Sequence, residues 1–119
     1  MSFTLTMSNV IVGRSELEHR DPERRLATGA FRPGLGYELA QPVFALYAAA
    51  AGDPDALARY RHARDALRLT LASASGAPVA VRDLRVRPAD SNVSGRAGLV
   101  LEIETDDPAF WASTPPVTR

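Results

Sequence analysis

Residues 41–86 read QPVFALYAAAAGDPDALARYRHARDALRLTLASASGAPVAVRDLRV, and this stretch decides the fold class. Pro42 and Asp53-Pro54 are typical of helix starts, because proline suits the first helical turn and aspartate caps it. From Leu67 onward the apolar residues alternate instead of recurring every three or four positions, which indicates a strand. The change of period predicts two helices followed by two strands.

The same stretch gives the expected boundaries of these four elements. Gly52 is the predicted stop of the first helix, and the second helix runs to about Ala66. Alternation predicts one strand over Leu67–Ser73 and another over Val79–Arg87. The apolar parity of the later strand changes along its length, so we expect a bulge at Arg82–Asp83.

The chain before this stretch predicts one strand and a long charged connection. Apolar residues over 3–12 are typical of a strand, with a bulge near Ser8–Asn9. Residues 14–25 are dense in charge, and Asp21-Pro22 predicts a short helix ending near Ala27. Glycine and proline then favour a loop over residues 31–36.

The chain after this stretch predicts a last strand and a short helix. Gly98–Thr105 alternates, with Leu99, Leu101 and Ile103 facing the core and the glutamates between them facing outward. A polar loop over residues 88–97 should precede it, and residues 107–111 should form a helical turn whose aromatic rings dock on the core. Residues 112–119 contain two prolines, and we expect them to be disordered.

Together these elements predict a single α+β domain over residues 1–111. The expected architecture is a roughly four-stranded, mainly antiparallel sheet with two helices packed on one face. The expected order is strand, charged loop, helix, helix, strand, strand, strand.

Composition excludes several classes of chemistry. The chain of 119 residues has no cysteine, so thiolate metal sites, disulfides and cysteine nucleophiles are excluded. All 14 basic residues are arginine, which excludes lysine Schiff-base chemistry and a lysine-bearing phosphate loop. We attribute the arginine usage to codon bias in a GC-rich genome, because the arginines are scattered along the chain.

Charge and hydropathy limit the classes of partner that we expect for this protein. The 14 basic residues balance 14 acidic ones, so no net field favours nucleic acid or an anionic membrane. No apolar run is long enough to span a bilayer, and the N-terminus lacks the pattern of a secretory signal. We therefore expect a cytoplasmic protein with no cofactor, no metal, no nucleic-acid partner and no membrane partner.

The segment with Glu16, Glu18 and His19 is the first candidate site. Two carboxylates and an imidazole can form a general base or an oxygen-rich metal site. Neither an extended nor a helical conformation brings all three side chains together. A solvated connection with ion pairs is the favoured interpretation, with partner binding by the two glutamates as the alternative.

The second helix carries the next candidate site. Arg61, Arg64 and Arg68 recur at helical spacing and form a patch for an acidic partner or a phosphate. The alternative is the polar outer face of an amphipathic helix, which is the commoner case. Should the protein be an enzyme, its candidate acid–base residues are His19, His62, Glu38 and Asp65.

A pocket between helices and sheet is the last candidate site. Tyr37, Tyr47 and Tyr60, with Gln41, would supply the polar groups of a small-ligand site. Alternatively, the three tyrosines are ordinary core residues and line no ligand site.

Two functions remain open from the sequence. The first is a non-catalytic protein–protein interaction module, such as a small subunit, a regulator or an immunity-type partner, and a homo-oligomer is compatible with it. It predicts an exposed apolar or arginine-rich patch. The second is a ligand-binding protein or acid–base enzyme, which predicts a desolvated carboxylate of raised pKa. Missing catalytic motifs favour the first.

Overall fold

The computed structural model describes residues 2–88 and 98–112, which form eight strands and three helices. In chain order these are β1 (Phe3–Met7), β2 (Val10–Ser15), β3 (His19–Asp21), β4 (Leu26–Pro33), α1 (Tyr37–Ala50), α2 (Pro54–Ala66), β5 (Leu69–Ala72), β6 (Pro78–Val79), β7 (Asp83–Pro88), β8 (Leu99–Glu104) and α3 (Pro108–Ala112).

All of these strands belong to one antiparallel sheet that curls into a half-barrel. The strands lie in the order β6-β5-β1-β2-β4-β8-β7, and β3 pairs with β4 beside this path. The predicted fold class, a four-stranded sheet with two helices on one face, is therefore wrong. More of the described chain lies in strands than in helices, and the three helices are short.

The curl follows from the positions of β6 and β7, which lie at opposite ends of the sheet but are consecutive in the chain. The span from Val79 to Asp83 reaches at most about 14 Å. The two ends of the sheet must therefore approach each other. The predicted single strand with a bulge at Arg82–Asp83 is wrong, because the change in parity marks the crossing from one sheet edge to the other.

The strands β3 and β4 replace the predicted charged loop, short helix and glycine-rich loop. Asp21 and Pro22 begin a tight turn between these strands, not a helix. Asp21 Oδ1 accepts a hydrogen bond from Arg24 N at 3.3 Å, and Arg25 N donates to the carbonyl of Pro22 at 3.3 Å. A proline after aspartate suits either structure, and here strand pairing with the rest of the sheet selects the turn.

The sequence of β4 does not show the alternation of large apolar and polar residues that is typical of a strand, and Gly29 is one reason. A Cβ at this position would lie 2.6 Å from Ser15 Oγ and 2.7 Å from the backbone nitrogen of Leu17. The chain after β2 therefore crosses β4 too closely for a side chain. Ala27 on the same face is also small and fully buried. Small inward residues fill a central strand without producing a large-apolar alternation.

The strands β1 and β2 form a hairpin where a single strand was predicted. Ser8 and Asn9 form the turn, and Ser8 adopts a left-handed conformation with φ of 56°. The register of β1 against β2 shifts between Leu5 and Thr6, so the bulge lies inside the hairpin, not at the turn.

The helix α2 begins as predicted and α1 begins earlier. Asp53 Oδ2 accepts a hydrogen bond from Ala56 N at 2.9 Å, which caps α2 ahead of Pro54. The helix α1 starts at Tyr37, so Pro42 lies inside it. This proline removes the bond to the carbonyl of Glu38 in the first turn, and the helix continues past it.

The interior of the half-barrel holds the apolar core. The inward residues of β8, Leu101 and Ile103, are fully buried, as predicted. The helix α3 docks through Phe110, whose ring centroid lies 5.5 Å from that of Phe3. Trp111 Nε1 donates to the carbonyl of Thr105 at 2.8 Å. The predicted docking of the C-terminal aromatic residues is thus confirmed.

Two predictions fall outside the described residues. They are the polar loop, for residues 89–97, and the disordered tail, for residues 113–119. Ala112 is the last residue of α3. Within residues 2–88 and 98–112 no helix combines the length and apolar character needed to cross a bilayer.

Candidate functional site

The outer face of β7 and β8 carries a cluster of charged side chains. On β7, Asp83, Arg85 and Arg87 alternate with the core residues Leu84 and Val86. On β8, Glu102 and Glu104 occupy the matching face, and the antiparallel register places Arg85 opposite Glu102 and Asp83 opposite Glu104. Arg85 and Glu102 carry opposite charges and attract each other across the two strands, whereas Asp83 and Glu104 are like charges, and Arg85 contacts both of them.

The hydrogen bonds of this charged cluster centre on Arg85. Its Nη2 donates to Glu102 Oε2 at 2.6 Å, and its Nη1 lies 3.2 Å from Asp83 Oδ2 and 3.1 Å from Glu104 Oε2. Arg87 Nε donates to Glu102 Oε1 at 2.8 Å. One carboxylate therefore bridges two guanidinium groups, and one guanidinium contacts three carboxylates.

The two longer helices cover this charged cluster. Cζ of Arg85 lies 5.3 Å from the ring centroid of Tyr47 on α1. From α2, Arg64 donates to Asp83, and the buried Tyr60 hydroxyl donates to the carbonyl of Leu84. The side chains of Arg85 and Asp83 are consequently 10% and 13% exposed. The cluster is a largely buried ion-pair network.

This environment keeps the carboxylate of Glu102 ionised. Burial by itself would raise the pKa of Glu102, but hydrogen bonds from Arg85 and Arg87 outweigh it and hold the pKa below the ordinary value. The pKa of Arg85 is raised: burial opposes the shift, and the hydrogen bond and charge of Glu102 prevail. A carboxylate held ionised in this way is suited to structure and not to proton transfer at neutral pH.

Glu102 makes the stability dependent on pH. Its folded pKa lies below the ordinary value of 4.5, so its contribution is present above pH 4.5 and is lost as the pH falls through the folded value. We expect Glu102→Gln to lower the free energy of unfolding by about 1–3 kcal/mol at neutral pH, with the deficit shrinking in acid.

Urea unfolding between about pH 7 and about pH 3 measures this effect. Glu38→Gln is the control, because Glu38 is exposed on α1 and no ion pair is expected to be lost. A deficit for Glu102→Gln that stays constant across the pH range would contradict the proposed ionisation of Glu102.

The candidate acid–base residues do not lie in this cluster. His19 on β3 is exposed, and so are Glu38 on α1 and His62 on α2. Asp65 is exposed at the edge of the cluster, where its Oδ1 lies 3.1 Å from Arg64 Nη2. The four residues thus come from three different elements, and the two histidines lie on different elements, β3 and α2.

The predicted partner-binding residues are divided between two regions. Glu16 pairs with Arg32 at 3.3 Å, and Glu18 Oε2 accepts a hydrogen bond from Ala30 N at 3.3 Å. These bonds tie the connection after β2 to β4.

The predicted arginine stripe is divided as well. Arg64 points into the charged cluster, with its side chain 12% exposed, and Arg61 Nε reaches Asp83 Oδ2 at 3.8 Å. Arg68 follows the end of α2 and is exposed.

Two of the four predicted pocket residues lie together. The rings of Tyr47 and Tyr60 have centroids 5.4 Å apart, next to the charged cluster. Tyr37 packs instead against Phe31, with centroids 5.7 Å apart, and Gln41 is exposed. The rings therefore pack into the fold.

A cleft of about 350 Å³ opens beside the charged cluster. Arg64, Asp65, Arg68, Arg82 and Asp83 supply its polar lining. In the described part of the chain, no group of three or more histidine, aspartate or glutamate side chains is arranged to hold a metal ion. The cleft mixes both charges, and we assign it no ligand.

A second feature is an exposed apolar surface around α1. We call it the apolar face and define it by large residues whose side chains reach solvent, with proline between them: Val10, Ile11, Leu35, Leu39, Pro42 and Leu46. Leu35, Leu39 and Leu46 are 96%, 65% and 43% exposed. Leu39 and Leu46 lie two helical turns apart on one side of α1.

Gly36 joins the two halves of the apolar face. Its backbone nitrogen donates to the carbonyl of Ile11 at 2.8 Å, and a Cβ on it would lie 2.6 Å from Val10 Cγ1. The start of α1 is therefore held against the start of β2. Val10 and Ile11 thereby lie beside the segment around Leu35 that leads into α1.

Neither feature is evident from the sequence, for identifiable reasons. Alternation places Glu102 and Glu104 outward, but it does not show that two helices cover this face. The spacing of Leu39 and Leu46 places them on one side of a helix, but it does not show that this side meets solvent. One signal was available: Glu38 is the single charged residue of α1.

Neither the known protein families, nor the characterised proteins, nor the solved structures give a significant match to this chain.

Proposed function

We propose that this protein is a non-catalytic protein–protein interaction module whose partner covers the apolar face. The observation that carries the proposal is the exposure of Leu35, Leu39 and Leu46, which lie on α1 and just before it. Scattered exposed leucines are ordinary, whereas a contiguous apolar patch on a small domain favours an interface. A helix with one charge among its 14 residues also favours burial on both sides.

The distribution of charges supports the apolar face over the arginines of α2 as the contact surface. Arg64 already bonds to Asp83 and Asp65, and Arg61 lies close to Asp83. A partner that recruited these guanidinium groups would have to break pairs within the protein. Leucine side chains on α1 release water on contact and break no such pair.

The alternative of an acid–base enzyme has less support. It needs a desolvated carboxylate with a raised pKa, whereas the buried Glu102 has a lowered pKa and bonds to two arginines. It also needs an acid and a base close together in a desolvated site, whereas His19, Glu38, His62 and Asp65 are all exposed and only His62 and Asp65 share an element. We therefore do not propose an active site.

The proposal is tested by capture with a tagged chain and variants of matched design. Leu39→Asp combined with Leu46→Asp places two charges on the apolar face, and Ala58→Asp combined with His62→Asp places two on exposed positions of α2. Circular dichroism first confirms that both variants fold. A bound protein is then identified, purified and titrated against all three chains.

We expect a protein that binds the wild type and the α2 variant alike and binds the α1 variant at least tenfold more weakly. A tenfold loss corresponds to about 1.4 kcal/mol, a modest cost for burying a carboxylate in an apolar contact. Binding of equal strength to all three chains, or no stoichiometric partner on the wild type, an untagged copy of this chain included, would overturn the proposal.

A further inference from the structure

We infer that the occupant of the apolar face is a second copy of this chain, with the two α1 helices packed antiparallel about a two-fold axis. This inference rests on the proposed function and names its partner. The spacing, the size and the charge of the exposed residues of α1 support this pairing.

The spacing of the exposed residues permits self-pairing. Leu39, Pro42, Leu46 and Ala49 are all exposed and follow one another at intervals of three, four and three residues. We call these four residues the seam. Intervals of three and four in alternation give the seam along which two helices pack side by side. The order three, four, three is unchanged when the helix is reversed, so an antiparallel copy presents matching positions.

The sizes of the seam residues are complementary in this arrangement. With the axis near the level of Phe44, Leu39 of one copy faces Ala49 of the other, and Leu46 faces Pro42. Each leucine therefore meets a smaller residue, which lets the helices approach closely and interdigitate. A parallel arrangement would place Leu39 against Leu39 and Ala49 against Ala49. The two leucines would then hold the helices apart, and a gap would remain between the two alanines.

The N-terminal end of the apolar face also meets a complementary surface on the other copy. Leu35, the most exposed of its leucines, lies just before α1. In the antiparallel arrangement it reaches the other copy beyond Ala49, where Ala51 and Gly52 are exposed and small. The two ends of the interface are equivalent by symmetry, so this contact forms twice.

Charge favours the same arrangement. The seam carries no charged residue, and Glu38 beside it is the single charge of α1. An uncharged seam packs favourably against another uncharged surface, and the seam of a second copy is such a surface. Antiparallel packing also places the two Glu38 side chains about 20 Å apart along the helices, whereas parallel packing would place them side by side.

Analytical ultracentrifugation tests the inference. We expect the average mass of the wild type to rise from 12.8 kDa towards twice that value as concentration increases. Leu46→Asp should remain at the mass of one chain, and Ala58→Asp should behave as the wild type. The substitution acts at two equivalent contacts, and a tenfold loss at each gives about a hundredfold weaker dimer.

Disulfide trapping tests the orientation, because the chain has no cysteine of its own. Ala45 is exposed beside the seam near the axis, so Ala45→Cys brings two thiols together. Diamide oxidises them to a disulfide and is itself reduced to the hydrazine. Ala58→Cys, at an exposed position on α2, is the control. We expect Ala45→Cys to cross-link at least tenfold faster.

The outcomes separate this inference from the proposed function. A wild type that stays at 12.8 kDa, or equal cross-linking rates for the two cysteine variants, would overturn the inference. A different protein captured through the apolar face would overturn it as well, but would leave the proposed function supported. Should Leu46→Asp fail to fold, Ala49→Asp on the same seam replaces it.

Discussion

Arg85→Met is expected to lower the free energy of unfolding by about 3–5 kcal/mol. The substitution keeps an apolar stem of similar length and removes the guanidinium group. Asp83 and Glu102, each with a side chain 13% exposed, would then lose their common partner, so Asp83 would keep Arg64 and Arg61 and Glu102 would keep Arg87. A largely buried carboxylate that loses one of its cations is stabilised less in the folded chain, and this loss adds to that of the hydrogen bonds.

The control is Arg14→Met on β2, where the arginine is exposed. We expect a change within about 0.5 kcal/mol there. Urea unfolding of both variants at neutral pH measures the difference. A loss below about 1 kcal/mol for Arg85→Met would show that water reaches the charged cluster in solution.

A double variant separates the pair from its surroundings. Arg85→Met combined with Glu102→Gln removes both charges of the shortest ion pair at Arg85. We expect the double variant to be less destabilised than the sum of the two single variants, because each single variant already loses the Arg85–Glu102 pair and the double variant loses it only once. Strict additivity would mean that the two residues do not interact.

Leu101→Ala is expected to lower the free energy of unfolding by about 2–5 kcal/mol. Leu101 is fully buried at the centre of β8, between Gly29 of β4 and Val86 of β7 in the register. Both neighbouring strands are fixed by pairing, so the structure has little freedom to fill the cavity that the missing side chain leaves.

Leu39→Ala is the matched control, since Leu39 is 65% exposed and alanine favours the helix. We expect that variant to keep the stability of the wild type within about 0.5 kcal/mol, measured at a concentration where the chain is monomeric. A loss below about 1 kcal/mol for Leu101→Ala would show that the inward face of β8 does not pack in the core.

The agreement between sequence and structure is best where a signal is local. Asp53 and Pro54 specify the start of α2, because the cap and the fixed φ of proline act within one turn. Alternation in Leu99–Glu104 specifies β8, because its large inward residues repeat with the period of a strand. Neither feature depends on which segment lies beside it.

The failures concern segments whose structure depends on distant neighbours. The strand β4 has small inward residues because the chain after β2 crosses it, and that crossing is not visible in residues 26–33. A change of parity such as the one near Arg82 has one of two physical causes. Either one strand contains a bulge, or the chain passes from one edge of the sheet to the other. The pairing of β6 with β5 and of β7 with β8 decides between them.

The sequence by itself determined a cysteine-free, charge-balanced chain, the helix α2, the strand β8 and the docking of α3. Only the tertiary structure decided that Arg85 is buried and that Leu39 is exposed. Local patterns report the periodicity of an element and therefore which of its residues lie on one side of it. What covers a face depends on the packing of segments far apart in the chain, and this packing buried the charged face of β7 and left an apolar face of α1 in solvent.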